Sequence, residues 1–130
     1  MIDKALDIPS ITRKIDQQLV NQYAIVANDL NPIHTDPDVA QHTIFKKPVA
    51  HGMLVASAIS EAMTVVYGDD WFQNGCIAIK WKAPAITPVE IKTEIILFKE
   101  DEKEIIYNAK CFDEFGTMLI SGTVLLKKGQ

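Results

Sequence analysis

Apolar and polar positions change their spacing near the middle of the chain. Before Asp70 the apolar residues recur every three or four positions, which is typical of helices that bury one face. After Asp70 they alternate with polar residues or form short β-branched runs, which is typical of strands. The pattern predicts an α+β domain in which helices cover one face of an antiparallel sheet.

The first predicted helix follows residues 10–15, a weakly alternating segment that we expect to form an opening strand. Asp16 is a favourable N-cap for this helix, and the helix is predicted to end close to Asp29. One face is apolar and is expected to pack on the core: Leu19, Tyr23, Val26 and Ala27. The opposite face is polar and is expected to meet water: Gln17, Gln18, Asn21 and Gln22.

A second and almost wholly apolar helix is predicted to begin at His51-Gly52 and to stop at residues 68–70 (Gly-Asp-Asp). Its composition predicts that this helix is buried. Between the two helices we expect residues 29–34 to form a turn, because Pro32 lacks a backbone donor and restricts the residue before it. Residues 36–42 are expected to form a short helical turn.

Four extended segments are predicted in the second half: residues 76–83, 89–99, 104–112 and 117–127. The connectors at 99–103 and 113–116 are short enough for hairpins, so these segments are expected to be antiparallel neighbours. With the opening strand, this order fits a five-stranded antiparallel sheet wrapped around a long central helix, the hot-dog fold. Another α+β arrangement would satisfy the same periodicity.

Length and composition limit the classes of function. The 130 residues predict a single domain over residues 1–130, and 48% hydrophobic with 23% charged residues indicates a packed protein. A net charge of −4 without a long basic run argues against a nucleic-acid partner. The longest apolar stretch, residues 53–67, is too short and too interrupted to span a membrane. Because the N-terminus also lacks the pattern of a signal peptide, we expect a cytoplasmic protein.

Cysteine and histidine spacing gives no sign of a metal centre. Cys76 and Cys111 are far apart and lack a CxxC pattern, so we interpret both as small buried hydrophobes and expect no disulfide. Five other residues have ligand-forming side chains but lack a two-ligand helical pair such as HExxH: His34, His42, His51, Asp29 and Asp36. No metal is therefore predicted.

Asp29 and His34 are the candidate catalytic residues. They lie on opposite sides of Pro32, so a turn can fold them toward one another and let them share a water molecule. Histidine titrates near neutrality, and a nearby carboxylate can complete a general acid/base pair. Taken alone, the same spacing is more often a capped turn with an Asx turn at Asn31 and a packed histidine.

The dipeptide His51-Gly52 is the second candidate site. A glycine that opens a buried helix presents backbone N–H groups at the positive end of the helix dipole, where an oxyanion can be stabilised. A glycine tolerated at a tight helix entry is the commoner explanation of such a pattern. Both interpretations stay open on this dipeptide alone.

Other polar residues and Trp81 are weaker candidates. Ser57 and Ser60 lack the GxSxG motif of a nucleophile, which favours packing or hydrogen bonding. Four lysines have the charge to meet the phosphates of coenzyme A or phosphopantetheine, although such lysines more often form a solvated face: Lys46, Lys47, Lys80 and Lys82. Trp81 shares a strand face with Ile77 and Ile79 and is interpreted as core.

Residues 29–34 (DLNPIH) and 48–54 (PVAHGML) match two linked motifs, D-x-N-P-[IL]-H and P-[VI]-x-H-G-M, with a matching separation. On these motifs the chain resembles the MaoC-like dehydratases and (R)-specific enoyl-CoA hydratases. A looser likeness extends from Ile8 to Lys127, almost the whole chain. The resemblance implies a hot-dog fold and a homodimer or higher homo-oligomer whose sheets join edge to edge.

The resemblance also implies a reaction. Asp29 and His34 would activate one water, which adds to C3 of a trans-2-enoyl thioester and gives the (R)-3-hydroxyacyl thioester, or the reverse. It implies that Asn31 orients the pair, that the Gly52 N–H polarises the thioester carbonyl, and that Ser60 supports the site from behind. Substrate contacts are predicted for three residues: His51, Lys46 and Lys47. No cofactor is implied, because coenzyme A or an acyl-carrier phosphopantetheine is part of the substrate.

One segment departs from the family pattern. Residues 83–90 (APAITPVE) stand where many members have a Gly-Asp turn, which leaves the local sheet connection and the acyl-chain selection open. Two rival functions also stay open. One is a hot-dog thioesterase that directs the water at the carbonyl carbon, and the other is a non-catalytic acyl-thioester-binding subunit. The intact DLNPIH block favours hydration over both.

Overall fold

The computed structural model describes residues 2–129. Its strands are Thr12–Ile15 (β1), Gly75–Trp81 (β2), Val89–Glu100 (β3), Glu104–Asp113 (β4) and Met118–Lys127 (β5). Its helices are Gln17–Val26 (α1), Pro32–Thr35 (α2), Pro37–Ala40 (α3), Gly52–Tyr67 (α4) and Asp69–Asn74 (α5). Among these residues, no helix combines the length and the apolar character needed to cross a membrane.

The sheet has the order β1-β3-β4-β5-β2, and every neighbouring pair is antiparallel. The predicted hairpins between β3 and β4 and between β4 and β5 are confirmed. β2 pairs with β5 at one edge of the sheet, so its connection to β3 crosses from one side of the sheet to the other. The predicted five-stranded antiparallel sheet is therefore confirmed.

Helix α4 packs against the inner face of this sheet. Its buried side chains are mostly small, which lets the helix approach the strands closely: Val55, Ala56, Ala58, Ile59, Ala62 and Met63. On β4 the buried residues alternate, as expected for a strand with one face on the core: Ile105, Tyr107, Ala109 and Cys111. Burying a side chain such as Ile59 contributes about 1.5–3 kcal/mol. A long helix covered by an antiparallel sheet is the predicted hot-dog fold.

The core-facing side of α1 differs from the prediction. The buried residues are Val20 and Ala24, whereas Val26 is 86% exposed and Leu19 is also exposed. The helix is apolar on two adjacent faces, so the periodicity predicts a helix but does not determine which of the two faces is buried. The N-cap prediction at Asp16 is confirmed, because its carboxylate accepts a bond of 2.8 Å from the Leu19 N–H.

Two short helices were not predicted. α2 begins at Pro32, where proline was expected to enforce a turn, because proline is well suited to the first position of a helix, where its missing N–H needs no partner. α5 begins at Asp69, directly after Gly68, which has a positive φ of 56° and ends α4. The predicted stop of α4 is thus confirmed, but the chain turns at once into another helix.

The two cysteines have different environments. Cys111 is buried as predicted, and this burial raises the pKa of its thiol to about 11. The prediction for Cys76 is wrong, because Cys76 is exposed on the edge strand β2. An edge strand is covered on fewer sides than a central strand such as β4, and alternation of apolar residues does not reveal the position of a strand in the sheet.

The N-terminal arm, residues 2–9, is held on the core by two tyrosines. Tyr67 of α4 and Tyr107 of β4 have their hydroxyls 2.6 Å apart. The Tyr107 hydroxyl donates to the Leu6 carbonyl at 2.6 Å, and the Leu6 N–H donates to the Tyr67 hydroxyl at 2.9 Å. Burial, together with the bond to Tyr67, raises the pKa of Tyr107 above its ordinary value, so the donor stays protonated.

We expect Tyr107→Phe to lower the free energy of unfolding by about 1–2 kcal/mol, because the Leu6 carbonyl and the Tyr67 hydroxyl lose a partner. Urea denaturation measures this change. Thr12→Val, which removes an exposed hydroxyl from β1, is the control and should stay within about 0.5 kcal/mol of the parent. Equal stability of the two variants would contradict the role given to the tyrosine pair.

Candidate active site

The DLNPIH block is divided between a loop and a helix. Asp29 lies in the loop after α1, and His34 lies on α2. Asn31 is the N-cap of α2, and its side-chain oxygen accepts a bond of 3.1 Å from the Ile33 N–H. The Asn31 N–H in turn donates to the Asp29 carboxylate at 3.5 Å. Asn31 therefore fixes the local turn that carries both candidate residues.

The orientation of His34 defines which of its nitrogens is available. Its Nδ1 lies 2.8 Å from the Val49 carbonyl oxygen. Because a carbonyl oxygen only accepts hydrogen bonds, Nδ1 carries a proton, and in the neutral ring the lone pair is on Nε2. His34 is half-buried, and the bond to Val49 holds its ring in place.

Asp29, His34 and His51 converge. Each offers one ligand atom, and these atoms lie within 4.8 Å of one another. Two hydrogen bonds of about 2.8 Å each span at most about 5.6 Å, so two of these groups can share one water molecule. Burial increases across the group, because Asp29 is exposed, His34 is half-buried and His51 is buried.

The same three residues have the composition of a metal site, and the sequence had placed them in a wider set with His42 and Asp36. Those two residues have other positions. His42 is exposed, and the Asp36 carboxylate caps α3 through a bond of 2.9 Å from the Asp38 N–H. The predicted absence of a metal stays a prediction for the remaining three residues.

Gln17 holds the backbone of His34, although it was predicted to face water. Its side-chain Nε2 donates to the His34 carbonyl at 2.8 Å, and its Oε1 accepts from the Thr87 hydroxyl at 3.0 Å. Thr87 is buried, and its backbone N–H donates to the Pro48 carbonyl at 3.1 Å. Gln17 therefore links α2 to the segment between β2 and β3.

The proline-rich segment that departs from the family pattern lies against the residues before α4. Val49 and Ile86 form an isolated antiparallel bridge, and the Ala50 N–H donates to the Ala85 carbonyl at 2.8 Å. Since Val49 also accepts the bond from His34, this segment supports the backbone that orients the candidate base.

Gly52 opens α4 beside two clefts. The first, of about 380 Å³, is lined by residues that include Asp29, His51 and Gly52. The second, of about 330 Å³, is largely apolar and continues from Gly52 toward residues 81–85 and Phe45. The N-cap side chain of α4 makes no capping bond, and the Leu54 N–H donates to the His51 carbonyl at 3.1 Å, so the uncapped N–H groups at this end are those of Gly52 and Met53.

Trp81 lies between the clefts and is not core as predicted. It is 50% exposed, and its indole N–H donates to the Gly52 carbonyl at 3.0 Å. A Cβ atom at position 52 would lie 2.8 Å from the Trp81 Nε1, which is closer than side-chain atoms normally approach. A larger residue at position 52 would therefore require the Trp81 side chain to move.

The remaining predicted residues lie at various distances from this cluster. The Ser60 hydroxyl accepts a bond of 2.8 Å from Trp71, and Ser60 lies eight residues along α4 from Gly52, a rise of about 12 Å. The Ser57 hydroxyl donates to the Leu54 carbonyl at 2.6 Å. Four lysines are exposed: Lys46, Lys47, Lys80 and Lys82. Of these, Lys82 lines the apolar cleft, and the supporting role of Ser60 stays a prediction.

Three residues that shape the site were not predicted: Gln17, Thr87 and Trp81. Gln17 and Thr87 are 70 positions apart, so no local spacing signals their bond. For Trp81 the sequence did contain a sign of exposure, because a large aromatic residue at the end of a strand and next to a proline-rich loop is seldom in the core.

Fold and site together define a hot-dog protein in which Asp29, His34 and His51 are gathered near the entrance to the central helix. The family model described as "MaoC like domain" matches residues 3–110, most of the chain. The chain therefore belongs to the MaoC-like family. The predicted resemblance is confirmed at this level.

Curated relatives have known activities. The (R)-specific enoyl-CoA hydratase of Aeromonas caviae is 26% identical over 123 residues, which cover 90% of this chain and 89% of that protein. The mitochondrial 3-hydroxyacyl-[acyl-carrier-protein] dehydratase of Arabidopsis thaliana is 26% identical over 125 residues, covering 90% of this chain and 72% of that protein. Both relatives are hydratases or dehydratases of acyl thioesters.

Solved structures support the fold. The (R)-hydratase of A. caviae superposes with a TM-score of 0.81 at 23% identity, covering 97% of this chain and 99% of that chain. The R-hydratase PhaJ1 of Pseudomonas aeruginosa, in its unliganded form, superposes with a TM-score of 0.82 at 23% identity, covering 96% of this chain and 84% of that chain. At this identity the likeness shows the hot-dog fold.

We expect Thr87→Val to lower the free energy of unfolding by about 1–3 kcal/mol, because the isosteric side chain leaves the Gln17 oxygen without its donor. Urea denaturation measures the loss. Thr87→Ser keeps the hydroxyl and should recover most of the stability. If serine and valine behaved alike, hydrogen bonding by the hydroxyl, which lies 3.0 Å from the Gln17 oxygen and 3.1 Å from the Pro48 carbonyl, would not be the reason for the buried threonine.

Proposed function

We propose that this protein interconverts trans-2-enoyl thioesters and (R)-3-hydroxyacyl thioesters by adding or removing water. The observation that carries the proposal is the His34 ring, fixed by the bond from Nδ1 to Val49, with a nitrogen within 4.8 Å of the Asp29 carboxylate, which itself lines a cleft with Gly52. A base, an acid and a group of open N–H donors are the parts that this reaction needs.

In the hydration direction, one water is held between Asp29 and His34. As its oxygen forms a bond to C3, the water loses a proton to the pair, and the electrons of the double bond move toward the thioester carbonyl. The Gly52 N–H, at the positive end of α4, stabilises the resulting enolate oxygen. Return of a proton from the pair to C2 completes the addition and restores the starting protonation state.

The proposed substrate has two parts, an acyl group and a carrier with phosphates, and each has its own contacts. The acyl group enters the apolar cleft between Gly52 and residues 81–85, which lies next to the reacting atoms. Lys82 at its edge, with Lys46 and Lys47 in the exposed loop, supplies positive charge for the phosphates of coenzyme A or of a carrier phosphopantetheine. No separate cofactor takes part in the proposed reaction.

A thioesterase is the second candidate function, because it would use the same water, base and N–H donors and aim the water at the carbonyl carbon. The complete DLNPIH block and relatives named as hydratases and dehydratases favour addition at C3. Retention of both Asp29 and His34 also disfavours a non-catalytic binding subunit.

Asp29→Asn or His34→Gln should each lower the rate of hydration by a factor of about 100 or more. Purified protein is mixed with crotonyl-CoA, and the loss of absorbance of the conjugated enoyl thioester is followed while a thiol reagent detects free coenzyme A. Urea denaturation of each variant separates loss of chemistry from loss of fold.

Loss of absorbance without thiol release, abolished by both substitutions, supports the proposal. Thiol release at the same rate as the absorbance change would identify a thioesterase. Full activity in both variants would exclude the proposed pair. Matched assays with crotonyl phosphopantetheine attached to a carrier protein separate the two kinds of substrate.

The protein is further proposed to act as a homodimer joined along β2. This strand lies at the edge of the sheet and carries apolar side chains that are partly exposed, including Ile77 and Trp81. An exposed apolar edge strand is a template for pairing with a second strand, and a second copy of β2 would pair with it in antiparallel register.

Ile77→Lys should shift the protein from dimer to monomer in sedimentation velocity, because like charges would face one another across the paired edges. Ile96→Lys is the matched control. Ile96 is 58% exposed on β3, away from this edge, so the control should remain dimeric. A monomeric parent, or equal dissociation of both variants, would overturn the edge-to-edge arrangement.

A further inference from the structure

His51 is the most buried member of the candidate site. Its ring is 2% exposed and stacks on the His34 ring, with centroids 3.8 Å apart and planes inclined by 26°. The Tyr23 ring covers it from another side at 4.9 Å. A side chain enclosed in this way has little surface to offer to a substrate.

The nitrogens of His51 are also occupied or closed off. Nε2 lies 3.0 Å from the Asp29 carbonyl oxygen, which can only accept, so Nε2 carries a proton. Nδ1 is buried and has no hydrogen-bond partner within residues 2–129. A proton on Nδ1 would be a buried donor without an acceptor, so the ring is the neutral Nε2–H tautomer.

From these contacts we infer that His51 is a positioning residue, which acts through Asp29 and His34 and does not touch the substrate. Its ring face fixes the plane of His34, and its Nε2–H fixes the backbone of Asp29. This inference deepens the proposed function and rests on it, since it names the residue that keeps Asp29 and His34 in their positions relative to one another.

The backbone before Asp29 explains why a tether is needed there. Asn28 has a positive φ of 54°, a conformation that is rare for residues other than glycine, and the Asp29 N–H turns back to the Ala24 carbonyl at 3.0 Å. Without the bond from His51, this tight turn would be held mainly from the side of α1. A displacement of about 1 Å at a catalytic group is enough to cost about 100-fold in rate.

His51 meets both requirements at once, since it provides a flat ring for stacking and a donor at its far end. Three substitutions separate these roles. His51→Phe keeps the ring and loses the donor, His51→Gln keeps a donor at the position of Nε2 and loses the ring, and His51→Leu loses both. Crotonyl-CoA hydration is measured with each variant at saturating and limiting substrate concentrations.

We expect the leucine variant to lower kcat about 100-fold and the phenylalanine and glutamine variants to lower it about 10-fold, with KM changed less than about threefold in each. If His51 only filled buried space, the phenylalanine and glutamine variants would not keep more activity than the leucine variant. A rise in KM with unchanged kcat would show that His51 contacts the substrate, and unchanged kinetics in all three variants would show no role. Either result would overturn the inference.

A readout independent of activity is the long-range ¹H–¹⁵N spectrum of the imidazoles. In the parent protein, His51 should give the Nε2–H pattern and His34 the Nδ1–H pattern. In His51→Gln, loss of the stacked ring should let the His34 ring turn out of its bond to Val49, so the His34 pattern should move toward an exchange-averaged mixture of tautomers, while backbone signals of β4 and β5 stay in place. An unchanged His34 pattern would overturn the inference even if the protein hydrated no thioester.

Addition of zinc distinguishes a positioning role of His51 from a metal site. If His51 is a positioning residue with no accessible nitrogen, its ¹H–¹⁵N pattern should not change at one equivalent of Zn²⁺. If the His34 and His51 signals instead shifted together at one equivalent, the three residues would be a metal site and the inference would fall. Failure of the proposed function is seen separately, as a parent protein that hydrates neither crotonyl-CoA nor the carrier-bound substrate while both tautomer patterns are present.

Discussion

The hydrogen bond between the His34 Nδ1 and the Val49 carbonyl is the interaction on which the site depends. It determines the tautomer of His34 and points the free Nε2 away from the backbone. The bond is set by main-chain position, so it requires that α2 and the residues before α4 keep a fixed separation. The Val49 N–H, which donates to the Ile33 carbonyl at 3.3 Å, helps to keep it.

The segment between β2 and β3 takes part in the same support. Because β2 and β3 are not neighbours in the sheet, their connection must cross the fold, and it does so beside residues 48–50. Its bonds through Ala85 and Thr87 continue the backbone pairing that begins at Val49. The departure from the family pattern thus lies at a place where it affects the base through main-chain geometry as well as the wall of the apolar cleft.

Much of this arrangement is visible in the sequence. The strands and α4 follow from short-range rules of alternation, helix stops and capping, so they were predicted within a few residues, whereas the short helix α2 in the DLNPIH block was not. The partners of Gln17 were not, because bonds between residues 17, 34 and 87 depend on how distant segments meet. The exposure of Cys76 and Trp81 depends on strand order, which periodicity does not contain.

The burial gradient across the three central residues suits the proposed chemistry. Asp29 is exposed to water, whereas an unpaired charge at the position of the buried His51 would be costly. His34 is intermediate between them in burial, which suits its proposed role in exchanging a proton with the reactant. Hydration and hydrolysis would use this same gradient, so the choice between them depends on which carbon the Gly52 N–H and the apolar cleft bring to the water. A carbonyl oxygen bound at Gly52 polarises the conjugated double bond as well as the carbonyl, and because C3 lies two bonds from the carbonyl carbon, the orientation of the enoyl group in the cleft then decides which carbon faces the pair.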